Sequence, residues 1–180
     1  MSDASPLPPP ARTYDGIAVE ALAHHLGVAR LACHAAVGST MDVAHALAAQ
    51  GAPAGTLVLA DTQTVGRGRA GRRWASAPGA GVWATWLARP TSADALEVLS
   101  LRVGIALAPR LDALAPDDAR PVRIKWPNDL QLAGRKLAGV LVEARWRDAR
   151  PEWVAVGVGI NVRAPEDLAE ATGLAPHAAR

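Results

Sequence analysis

The sequence predicts an α+β domain, a mixed and mostly antiparallel sheet with flanking helices. Three observations carry this. Strand-like and helix-like segments intermingle in the first half, strand-like segments follow one another directly in the second, and 180 residues suffice for one core.

Residues 1–13, with four prolines and no periodicity, are expected as a disordered tail, leaving 14–180 as the domain. "YDGIAVEALAHHLG" reads as a short amphipathic helix stopped at Gly27, and "VARLACHAAV" as a strand. "STMDVAHALAAQG" is a helix with Ser39 as N-cap, Asp42 three residues on, and Gly51 as its stop. "GTLVLAD" and "GVWATWLA" are strands on either side of a loop. "SADALEVLSLRVGIALAPRLDAL" is a long helix with Ser92 near its start. "PVRIKW" is a strand and "PND" a turn. "LQLAGRKLAGVLVEARW" is a hairpin about Gly134, "EWVAVGVGINV" a last strand, and "PEDLAEATGL" the beginning of a helix. "LAPHAAR" resembles the entry to another helix, so a truncated domain is expected.

Of 19 basic residues only Lys125 and Lys136 are lysines; the rest are arginine. Net charge is +2, and the loop "TVGRGRAGRRW" (64–74) alone carries four arginines, so the remainder is slightly acidic. That excludes a broad footprint on duplex DNA and points to one focused anion site. Cys33 is the single cysteine, which rules out an internal disulfide. No apolar run is long enough to span a membrane and no signal-peptide layout opens the chain, so a cytoplasmic protein is expected.

Three stretches carry chemistry. In the arginine loop, Gly66, Gly68 and Gly71 permit unusual backbone and close approach, Arg67, Arg69, Arg72 and Arg73 grip phosphate or carboxylate, and Trp74 offers a stacking face. A flexible arginine-rich surface loop and an RNA-binding Arg-Gly segment are the alternatives. The loop is neither a Walker P-loop nor a dinucleotide fingerprint. In "IKWPNDLQLAGRKLAGVLVE", Asn128 and Asp129 make a good turn, while Lys136 places a compact ammonium in a small-residue setting. In "VGVGINV", Gly157 and Gly159 imply a bulge or close approach by a ligand, and Asn161 needs partners if buried.

Taken together and in order, "GRGRAGRRW", "KWPNDL", "KLAGVLVE" and "GVGINV", preceded by Ser39-Thr40, resemble the biotin protein ligases over roughly residues 35–165. The resemblance implies a catalytic domain related to class II aminoacyl-tRNA synthetases and lipoate ligases. It implies ATP-dependent formation of biotinyl-5′-AMP, then transfer of biotin to a lysine of a biotin carboxyl carrier domain, such as that of acetyl-CoA carboxylase. Biotin and ATP with magnesium would be substrates, with no tightly bound cofactor, nucleic acid or membrane, and a homodimer is allowed.

On this resemblance Ser39, Thr40, Gln63, Gly66, Arg67, Gly68, Arg69, Lys136 and Gly139 bind biotin. Arg69, Arg72, Trp74, Asn128, Asp129, Lys136 and Asn161 bind the nucleotide. Arg67, Arg69 and Lys136 stabilise charge, and Asp129 is a magnesium ligand or the base in transfer. Met41 and Ala70 depart from the common family pattern. Neither a preceding helix-turn-helix nor the family's C-terminal helices and SH3-like barrel are expected. A lipoate or octanoate ligase-type enzyme and a truncated paralogue that binds biotin without transfer are the rivals.

Overall fold

Alternation along the strands decides the layers. The computed structural model describes residues 7–94, 96–115, 121–165 and 169–175. Its main sheet has seven strands, β3 (Arg30–Val37), β4 (Thr56–Gln63), β5 (Gly81–Ala88), β6 (Arg123–Lys125), β7 (Asp129–Leu132), β8 (Arg135–Arg147) and β9 (Arg150–Asn161). They lie in the order β3-β4-β5-β9-β8-β7-β6. Only β3 and β4 pair in parallel, through the crossover helix α2 (Thr40–Ala49); every other neighbour is antiparallel. The expected α+β class is observed.

In β9, Val154, Val156 and Val158 pack with Val140 and with Leu99, Val103 and Leu107 of helix α3 (Leu99–Asp112). On the opposite face Trp153 joins Val58, Leu87 and the apolar side of α2. Fully burying each leucine or valine in these layers contributes about 1.5–3 kcal/mol. Along that second face β9 tapers from Trp153 through Ala155 to Gly157 and Gly159. Antiparallel pairing sets Gly159 beside Gly139 of β8, and Gly157 beside Thr85 of β5 and Leu141 of β8. The taper opens a hollow beyond the N-terminus of α2.

Three of the expected helices change. The helix foreseen from Tyr14 is α1 (Val19–Leu26), because Asp15 and Gly16, with φ of 51° and 76°, turn a small hairpin between β1 (Thr13–Tyr14) and β2 (Ile17–Ala18). Gly27 does end α1, with φ of 61°. The long helix starts at Leu99, since the Ser92 hydroxyl serves a local turn and accepts from the Asp94 N–H at 3.3 Å. The helix sought in 165–174 does not form in residues 169–174. There the Lys136 N–H donates to Glu170 O at 2.7 Å and the Thr172 N–H to Lys136 O at 2.8 Å. These bonds occupy the open edge at the start of β8. Residues 166–168, and those of "LAPHAAR" from 176, lie outside the described residues.

Residues 7–13 differ from the expected disordered tail. Leu7 packs on the α2 core, the Ala11 N–H donates to Cys33 O, and the Pro9 carbonyl lies 3.3 Å from His34 Nδ1. Burial without a second partner pushes the His34 imidazole below its ordinary value. Burial pushes the Cys33 thiol up to about 11.

Candidate active site

The hollow encloses about 450 Å³ and has two unlike ends. One is neutral and built at the carboxyl ends of the two parallel strands. Ser39 caps α2, its Oγ accepting from the Met41 N–H at 3.3 Å. Gln63, the last residue of β4, turns its amide oxygen to the same turn. It accepts from the Thr40 N–H at 2.9 Å, the Thr40 hydroxyl at 3.1 Å and Ser39 Oγ at 3.4 Å. An amide oxygen has two lone pairs, so three donors cannot all be well served. The Ser39 contact is the longest, which leaves that hydroxyl the most available to a ligand. Behind this group Thr85 donates to Thr40 Oγ1 at 2.8 Å and Gln63 Nε2 donates to Ser76 Oγ at 2.8 Å. Thr85 and Ser76 escape sequence reasoning because lone hydroxyls carry no motif.

The other end is charged. Lys136, early in β8, lies 2.9 Å from Asp129 Oδ1 across the hairpin, close enough for an ion pair though that oxygen makes no aligned hydrogen bond. Lys136 Nζ also stands 4.9 Å from the centre of the Trp74 ring. Asn128 is tied to β8 in both directions, accepting from the Val140 N–H at 2.9 Å and donating to Val140 O at 3.0 Å. Its side-chain oxygen receives Arg69 Nη1 at 3.3 Å. Asn161 is buried and donates to Lys136 O at 3.4 Å, so it braces the lysine's backbone.

The arginine loop roofs the hollow as a short hairpin-like stem. The Trp74 N–H donates to Gly66 O at 2.9 Å and the Gly68 N–H to Arg72 O at 2.7 Å. Close approach explains Gly66, where a Cβ would meet Trp74 O at 2.5 Å. Left-handed backbone is confined to the tip, at Ala70 (φ 55°) and Gly71 (φ 71°). The stem lays the Trp74 indole on the paired glycines. A Cβ at Gly159 would lie 2.5 Å from Trp74 Cε2, and one at Gly139 2.8 Å from Cζ3. The close approach foreseen for the glycines of β9 is thus made by the chain itself, by Trp74 over Gly159 and by Met41 Sδ, 2.8 Å from a Cβ at Gly157.

All the candidate residues except Gly66 line the hollow, and Gly66 lies in its roof. Arg67 is engaged by two carboxylates. Its guanidinium is held by Glu143 at 3.0 Å and Asp42 at 3.1 Å, not presented as a free cation.

This geometry coincides with similarity to known proteins. The model of the biotin/lipoate A/B protein ligase family matches residues 34–161. The chain belongs to this family. Among curated relatives of the family it is 39% identical over 132 residues to the bifunctional ligase/repressor BirA of Bacillus spizizenii, covering 73% of this chain and 40% of that one. It is 41% identical over 141 residues to the biotin–[acetyl-CoA-carboxylase] ligase of Mycobacterium tuberculosis, covering 74% and 50%. The chain therefore spans half or less of the length of these two relatives. The biotin protein ligase of Leishmania major in complex with biotinyl-5-AMP superposes with a TM-score of 0.68 at 28% identity, over 81% of this chain and 63% of that one. The Aquifex aeolicus biotin protein ligase in complex with biotin and ATP superposes with a TM-score of 0.65 at 32% identity, over 80% and 58%. These two solved ligases thus share the fold of this sheet.

Proposed function

We propose that this chain carries the catalytic region of a biotin protein ligase, which condenses biotin with ATP to biotinyl-5′-AMP and passes biotin to a carrier-protein lysine. The observation that carries the reading is the two-ended hollow. A ureido ring offers two donors and one acceptor, and the Ser39, Thr40 and Gln63 group offers complementary hydroxyls in a buried, neutral setting. In this reading biotin's carboxylate and the α-phosphate of ATP meet at the Lys136 end, which Arg69 and Arg72 also line.

In the first step a biotin carboxylate oxygen attacks the α-phosphorus and pyrophosphate leaves. Negative charge grows on the phosphoryl oxygens, and cations fixed in a low-dielectric hollow lower that barrier without reorganising. Lys136 is pre-aimed by Asp129 and Trp74, while Arg69 is steadied by Asn128. Magnesium arrives as part of the ATP substrate and needs few protein carboxylates, a demand Asp129 fits. The buried Trp74 Nε1–H has no acceptor among the described residues. In the second step the acceptor amine, freed of its proton, attacks the anhydride carbonyl and AMP leaves. Asp129 is the carboxylate at hand for that proton.

The partner in this reading is a biotin carboxyl carrier domain, and the setting is the cytoplasm. Among the described residues no helix is long and apolar enough to cross a membrane. The neutral group at Ser39 favours a ureido ring over the apolar chain of a lipoate-type substrate.

The test is pyrophosphate release by this chain with ATP and either biotin or lipoate, in the wild type and in Lys136→Ala. Biotin-dependent release that the substitution abolishes is expected. Release with lipoate alone, or with neither acid, overturns the reading.

A further inference from the structure

Arg67 does not stand with the other arginines of its loop. Arg69 and Arg72 lie at the mouth of the hollow, whereas Arg67 crosses to β8 and α2. Its partner Glu143 has a second donor. Glu143 Oε2 lies 2.9 Å from His45 Nε2, and His45 Nδ1 faces the Trp153 indole N–H at 2.9 Å. An indole N–H only donates, so Nδ1 must carry the lone pair and the proton sits on Nε2. The imidazole is then neutral and donates to Glu143, and Arg67 is the cation that balances the carboxylate. Trp153 belongs to the core cluster beneath α2. A continuous line of contacts, Trp153 to His45 to Glu143 to Arg67, runs from the core to the loop.

We infer that Glu143 is a positioning residue: with Asp42 it pins Arg67, and so fixes the stem of the arginine loop on the sheet. Pinning the first strand of the stem also sets the second, because the Trp74 N–H bonds to Gly66 O. Trp74 is thereby held on the glycine floor and beneath Lys136. A guanidinium between two carboxylates is a poor clamp for a third anion. The loop therefore divides its arginines, with Arg67 as the strut and Arg69 and Arg72 as the ligand's cations. The task assigned to the loop rests on the proposed function; the pinning itself does not.

The test compares Glu143→Gln, Arg67→Met and the double variant of this 180-residue chain, first without any substrate. Trypsin cleavage after Arg72 and Arg73 is followed by mass spectrometry, with cleavage after Arg102 as reference. For a partly exposed pair the loop sites should be cut up to about fivefold faster in each single variant, and the double variant should be no faster than Arg67→Met. Loop cleavage unchanged by Glu143→Gln, effects that multiply in the double variant, or a rise shared equally with Arg102 would each overturn the pinning. The second measurement is steady-state kinetics with biotin and ATP. Glu143→Gln should raise the KM for ATP with little change in kcat, and Glu143→Asp should restore part of it. A fall in kcat alone would count against a positioning role. Loop cleavage that responds as stated, in a chain that releases no pyrophosphate with biotin, leaves the pinning intact and removes the proposed function.

Discussion

The neutral and charged ends of the hollow are built on opposite physical plans. At the neutral end, Ser39, Thr40 and Thr85 are buried, and hydrogen bonds of 2.8–3.4 Å tie them to one another through Gln63. At the charged end, Lys136 and Asp129 are partly exposed on a hairpin and Arg69 is exposed on a loop. Buried neutral groups lose most when left unpaired, so that end discriminates by shape and partner. Partly exposed cations contribute little to folding, yet act strongly on charge that develops in a closed site. Under the proposed function, the difference would assign recognition and rate to separate parts of one cavity.

The largest expected effect tests the charged end. Lys136→Ala should lower kcat for biotin-dependent pyrophosphate release by about 10²–10³-fold, the usual effect of removing one fixed charge-stabilising donor. The KM for biotin should move far less, and an equal rise in KM would break the division. Gln63→Leu tests the neutral end by removing the acceptor of the Thr40 N–H and of the Thr40 hydroxyl proton. At about 1–3 kcal/mol, this should raise the KM for biotin by about 10–100-fold and change kcat little. If kcat falls instead, the two ends are not separate.

Gly159→Ala strikes the floor that both ends share. A Cβ 2.5 Å from Trp74 forces the indole away, at a cost of about 1–3 kcal/mol read as a lower unfolding midpoint. The smallest effect concerns the scaffold of the neutral end. The His34 pKa is lowered by burial, so the folded state resists its protonation. Its contribution to stability is complete above the ordinary value of 6.5 and is lost as pH falls from there towards the folded value. Urea midpoints at about pH 7.5 and about pH 5.5 should differ more in the wild type than in His34→Asn. Equal differences would remove His34 from the account.

Local features were legible in the sequence where chemistry and spacing are themselves local. Ser39 announces a helix start, and Ala133-Gly134 does turn the hairpin that carries Lys136. The alternation in "WVAVGVGINV" marks two faces and sets both glycines on one of them. What approaches those glycines was not legible, because Met41 and Trp74 arrive from elements far earlier in the sequence. The strut escaped for the same reason, since Arg67 and Glu143 are 76 residues apart in sequence. The Asp15-Gly16 turn was legible but outweighed by the apolar periodicity that follows it.

The order of the strands sets a schedule for synthesis. β9 lies between β5 and β8, so the middle of the sheet is supplied by residues 150–161. While the chain is being made, β3, β4 and β5 can associate early, but β5 keeps an unpaired edge until those residues emerge. The hollow has no floor before that moment, because Gly157 and Gly159 are among the last residues to join it. A nascent chain halted ahead of β9 would display the arginine loop and the Ser39 turn with nothing beneath them. It would also offer any passing strand the edge that β9 was meant to fill.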